Sequence, residues 1–99
     1  MTIVGIDINK SAAECSAKML ETNQCSPADV VLNRNGSCLR EGMFDFVFIN
    51  PPYVVTETSE LLASQQTGDI AAAWAGGKDG TELLYSALLP AARVAKLKF

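Results

Sequence analysis

The sequence contains no histidine, and its three cysteines, Cys15, Cys25 and Cys38, stand far apart with no CxxC pair. Zinc is held by closely spaced thiolate and imidazole ligands, so nothing here supports a metal site built from this chain alone. An odd cysteine count at wide spacing likewise gives no disulfide framework. The cysteines are expected to be free thiols, buried or half-buried, of a reducing compartment. A basic block is also missing. Eight Lys and Arg against eleven Asp and Glu leave a formal net charge of -3 and a pI of about 4.7. Such a chain has no general electrostatic attraction to nucleic acid or to an anionic membrane. No apolar run approaches the ~18 residues of a membrane span. The opening MTIVGIDIN has no basic n-region and is too short for a signal peptide's apolar core. The expected location is the cytoplasm or the nucleus, with no membrane partner.

What is present is a globular composition, 48% hydrophobic and 19% charged in 99 residues, enough for one domain with a thin core. TIVGIDIN reads as a strand ending near Asp7. Ser11 with Glu14 three residues on matches a capping box, and Ala13, Ala17 and Leu20 recur at helical spacing. That helix should stop before Pro27. Asp29 to Leu32 is a second strand, and Asn35-Gly36 marks a turn. MFDFVFIN, residues 43–50, is expected to be a third strand. It does not alternate after Asp45, so it should be covered on both faces, as a central parallel strand is. Residues 54–80 read as a long loop, polar in ASQQTGD and glycine-rich in AGGKDG. Asp79 with Glu82 suggests the start of a last helix, with Leu83, Leu84, Ala87 and Leu88 as its apolar face. Pro90 should kink or end it, and the tail AARVAKLKF, with its three basic residues, can continue it. The order is that of an α/β fold with a parallel sheet.

The most apolar stretch ends in INPPYVV, Ile49 to Val55. On Pro-Pro alone this is a rigid turn after a core strand. An acidic residue closing an earlier strand together with NPPY after an apolar strand is the pattern of methyltransferases that act on a planar amino nitrogen. The longer text narrows this. Asp7-Ile8-Asn9 with Ala12-Ala13, then NPPYVVT at 50–56 and AAWAGGKDG at 72–80, resembles the eukaryotic and archaeal HemK-type protein glutamine methyltransferases. The resemblance covers residues 3–89, and about the middle half of the family's domain.

The resemblance implies a Rossmann-like class I methyltransferase sheet, in part, and S-adenosylmethionine as cofactor. It implies as substrate the glutamine of the GGQ loop in the class 1 translation termination factor. It further implies a small zinc-binding activator protein as heterodimer partner, covering bare sheet edge. A glutamine amide nitrogen is a weak nucleophile with two N–H groups to hold. The Asn50 side-chain oxygen and the Pro51 carbonyl are the implied acceptors. Pro51 and Pro52 fix φ and remove two donors, so the turn is stiff and presents acceptors only. Tyr53 offers a flat wall to the amide and a ring face to the cationic sulfonium, worth about 0.5–2 kcal/mol. Asp7, followed by Ile8, takes the ribose hydroxyls, and Asn50 is implied to border the cofactor as well; without the resemblance Asp7 reads equally as an acidic residue near a helix N-terminus. Trp74, Gly76 and Gly77 lie in the segment that borders the family's substrate entrance, although a helix-leading turn with Trp74 on the core has the same text.

Two departures stand out. The family's first strand, with its D/E-x-G-x-G-x-G loop, has no counterpart before Asp7, and its later strands have none after the last helix. The acidic residue that meets the adenine amino group is replaced near Arg34, where Asn33 or Asn35 is left to make that bond. The chain is therefore expected to be a partial domain, 1–99, and a non-catalytic fragment is one alternative. Adenine-N6 methyltransferases of nucleic acid share NPPY and are a second, against which the acidic charge counts. Transfer to a histone lysine is a third.

Overall fold

The computed structural model describes residues 1–68 and 70–96. The chain divides into two compact units, 1–34 and 35–99.

The first unit is strand, helix, strand. β1 (Ile3–Asp7) and β2 (Ala28–Leu32) pair in parallel, with Ile3 against Ala28 and Asp7 against Leu32. Parallel neighbours require a crossover, and α1 (Lys10–Thr22) supplies it. The helix is capped two residues before the expected Ser11. Asn9 is its N-cap, and the Asn9 side chain accepts from the Ala12 N–H at 2.9 Å. The Asp7 carboxylate in turn accepts from the Asn9 N–H at 2.8 Å. A cap that is itself held by the strand end wins over the Ser11–Glu14 box, because it fixes the turn and the helix start together. Helix α1 ends at Thr22, well before Pro27, as proline predicts. Ala13 is its buried residue. Of the three thiols, Cys25 is half-buried, whereas Cys15 and Cys38 are exposed, contrary to the burial expected of them.

The second unit differs more from the sequence reading. The expected strand at 43–50 is not formed. Phe44 makes one parallel bridge with Ala95, donating to Val94 O and accepting from the Lys96 N–H. Beyond it, Phe46 to Ile49 run on without pairing to any described residue. Phe46 and Phe48 are 80% and 92% exposed, and their rings stack on each other at 6.5 Å. The apolar pattern reports the surface a segment can bury when neighbours flank it. A strand exists only through those neighbours, and here the described residues supply one, at Phe44.

The expected loop at 54–80 is structured instead. β3 (Val54–Val55) pairs in parallel with β4 (Ala75–Gly77). Between them lie α2 (Thr58–Thr67), which ends on left-handed Gly68, and a 3₁₀ turn, Ile70–Ala73. Polar composition conceals α2, because it buries only Leu61 and Ser64. Ser64 is tolerated there because its hydroxyl donates to Leu61 O at 2.8 Å. Leu61, Ala72, Ala75 and Val94 are the buried apolar residues of this unit.

Helix α3 (Glu82–Val94) starts after the Asp79 turn, with Thr81 as its N-cap. It continues through Pro90 to Val94. Of its expected apolar face, Leu83 and Ala87 are half-buried while Leu84 and Leu88 are exposed. In the last turn the Arg93 guanidinium donates to Gly36 O and Leu39 O at 3.0 and 2.7 Å, so one side chain holds the Asn35-Gly36 turn. Lys96 pairs with Asp45 at 3.1 Å in an exposed position; Lys98 of the basic tail lies outside the described residues. Among the described residues, no helix is long and apolar enough to cross a membrane.

Asn9→Ala removes the cap and should lower the unfolding free energy of the first unit by about 1 kcal/mol, read by hydrogen exchange at the α1 amides; unchanged protection would show that the cap is not needed. Phe46→Ser and Phe48→Ser should leave the thermal midpoint nearly unchanged and reduce concentration-dependent light scattering, because an exposed, unpaired apolar segment is a template for association. A clear fall in midpoint would show that these rings are packed.

Candidate functional site

Chemistry-bearing residues collect at two places, one in each unit. In the first unit they stand at the carboxyl end of the β1–β2 pair. Asp7 ends β1, Ile8 follows it, and Asn33 follows β2. The Asn33 N–H donates to Asp7 O at 3.0 Å, which continues the parallel ladder by one bond. All three residues are half-buried. One carboxylate oxygen of Asp7 takes the Asn9 N–H, and the other has no partner among the described residues. A half-buried carboxylate with one fixed and one open oxygen, past the carboxyl end of a parallel pair, suits a ligand rich in hydroxyl groups. These residues therefore fit the ribose of a nucleoside cofactor. Asn35, the other candidate for adenine, sits at φ +55 in the turn that follows.

In the second unit they stand around the start of β3. Asn50 is exposed, Pro51 and Pro52 are half-buried, and Tyr53 is 71% exposed. No described residue hydrogen-bonds to any of the four. The acceptors of Asn50 and Pro51 are thus uncommitted, and the Tyr53 ring is free on the surface. Immediately after, the chain is firmly held. The Val54 N–H donates to Trp74 O at 2.9 Å, and the Thr56 N–H to Gly77 O at 2.8 Å. The Gly77 N–H donates back to the Thr56 hydroxyl at 3.0 Å, in a buried position.

This brings Trp74, Gly76 and Gly77 alongside the NPPY turn, although they are more than twenty residues away in sequence. Trp74 is partly exposed, whereas Ala75, Gly76, Gly77 and Gly80 are buried. The sequence reading missed Thr56, which lies inside a quoted motif, because a threonine that bonds across a strand pair leaves no local signal. Among the described residues, no group of three or more His, Cys, Asp or Glu could hold a metal ion.

No family model matches the chain, and no solved structure does. Curated proteins do. The chain is 35% identical over 80 residues to methyltransferase HEMK2 of Mus musculus, a match covering 79% of the chain and 36% of the mouse protein. It is 34% identical over 80 residues to methyltransferase HEMK2 of Homo sapiens, with the same coverage. It is 33% identical over 86 residues to a putative protein N5-glutamine methyltransferase of Methanocaldococcus jannaschii, covering 83% of the chain and 39% of that protein. The chain thus spans a little over a third of the length of the curated relatives it matches.

Proposed function

We propose that this chain, whose similarity fits part of a HemK-type methyltransferase, carries the amide-holding edge of a methyl transfer to a glutamine side chain. The observation that carries the reading is the NPPY turn, whose acceptors are uncommitted and exposed while its far end is fixed to β4. S-adenosylmethionine supplies an electrophilic methyl group when bound, with its ribose on Asp7 and Ile8 and its adenine edge on Asn33. The chain's own part is orientation. Asn50 Oδ1 and Pro51 O accept the two N–H groups of the glutamine amide, so its nitrogen faces one way. The prolines supply no competing donor at their own nitrogens. Tyr53 flanks the amide plane, and Trp74 contacts the polypeptide that carries it. Gly76 and Gly77, being buried, serve the substrate from behind. Holding a weak nucleophile at near-attack geometry is the source of rate. The N–H protons need no strong base, because the proton leaves after transfer has made the nitrogen acidic.

The similarity to an archaeal putative protein N5-glutamine methyltransferase favours a glutamine acceptor. Within that class we propose the glutamine of the GGQ loop of the class 1 translation termination factor, with a small zinc-binding activator protein as partner to apolar edge such as Phe46–Ile49. Adenine-N6 transfer is disfavoured by the acidic charge.

Calorimetric titration with S-adenosylmethionine tests the two halves separately. Asp7→Ala should lose the saturable binding of the native chain, and Asn50→Ala should keep it. Asn50→Ala should nonetheless reduce methyl transfer at least about a hundredfold, the scale seen when a single oriented contact at a reacting group is removed. Full turnover by Asn50→Ala would exclude the acceptor role.

A further inference from the structure

Among the described residues, the NPPY turn is held at its Tyr53 end, and glycine makes the close approach there possible. A methyl placed on Gly76 would lie 2.7 Å from Tyr53 Cα, 2.8 Å from the Tyr53 carbonyl carbon and 2.8 Å from Gly80 O. One placed on Gly80 would lie 2.5 Å from Tyr53 O. These are backbone atoms, which cannot swing aside as a side chain can. Gly80 also has φ +73, so its torsion alone would favour glycine. Gly76 has no positive φ, and only space explains it. The Tyr53 backbone therefore lies in a seat with no Cβ, closed on the next residues by the paired Thr56–Gly77 hydrogen bonds and by Val54 N–H to Trp74 O.

The two prolines give this seat reach. Between Tyr53 and Asn50 the φ angles of Pro51 and Pro52 are fixed. Few soft torsions remain to absorb a displacement, so a shift of Tyr53 is passed on to Asn50. Phe46 to Pro52 form no hydrogen bond with a described residue that would resist it. We propose that Gly76, Gly80 and Thr56 are positioning residues that set the Tyr53 backbone and, through the stiff prolines, the direction of the Asn50 and Pro51 acceptors. The role rests on the reading of those two groups as acceptors; the geometry does not.

Nuclear magnetic resonance of the whole chain tests it. Thr56→Val deletes the hydroxyl that receives the Gly77 N–H, and exchange of that amide should rise about tenfold, the loss of one buried hydrogen bond. Both Thr56→Val and Gly76→Ala should shift the Asn50 side-chain amide and the Tyr53 ring signals, and Thr56→Ser should restore them. Gly42→Ala is the control. Its φ is +63 and a methyl there meets nothing within 4 Å, so it strains the same unit without touching the seat, and Asn50 should not move. If Gly76→Ala does not fold, the Thr56 pair decides alone. Asn50 and Tyr53 signals that stay in place while the Gly77 amide is released would overturn the proposal. A glutamine-containing peptide added to each variant separates the two readings. Coupled shifts with peptide affinity reduced about tenfold in Thr56→Val support both. Coupled shifts in a chain whose native form binds no peptide support the positioning and remove the acceptor role.

Discussion

Much of the second unit depends on a backbone-to-backbone contact that only glycine permits. Gly76 and Gly80 lie so close to Tyr53 that neither position has space for a β-carbon. This allows β4 to pair with β3, with a register shift between Val54 and Val55 and with Ala75 wholly buried. The pairing in turn holds the residues that follow the NPPY turn, with Val54 N–H on Trp74 O and Thr56 N–H on Gly77 O. Small residues here do what large ones do in an ordinary core: they fix distance. The consequence is a rigid base next to a polar edge that makes no hydrogen bond with a described residue. An edge that is stiff and unsatisfied at once persists only when the adjoining chain determines it.

The first unit solves a simpler problem. A strand, a capped helix and a parallel strand bring Asp7 and Asn33 to one end of a sheet, joined by a single backbone hydrogen bond. The Asp7 carboxylate is divided between the structure, through the Asn9 N–H, and an open oxygen. Removing Asp7 would therefore disturb the cap and the open site together, whereas Asn9 bears on the cap.

Local chemistry was legible in the sequence. β-Branched runs gave β1 and β2, proline bounded α1, and Asn35-Gly36 gave its turn. The end of β1 at Asp7 and the polar cluster at Asn50 were readable for the same reason, since both are short patterns with local causes. Three things were not. The run Phe46–Ile49 has a strand's composition, but pairing is a property of neighbours. Helix α2 hides behind ASQQT because a buried serine that bonds its own helix carbonyl looks like a loop residue. The glycine segment reads as a loop whose glycines allow a close backbone approach, but the text does not say which backbone approaches; it is that of Tyr53. In each case the deciding partner is distant along the chain.

The account stands most directly on what receives a methyl group. The chain would be incubated with methyl-labelled S-adenosylmethionine and a peptide carrying a Gly-Gly-Gln loop, and the product located by fragmentation mass spectrometry. The account predicts label on the side-chain nitrogen of the glutamine. Label on lysine or on an adenine base, or none on glutamine from a chain that binds the cofactor, would contradict it.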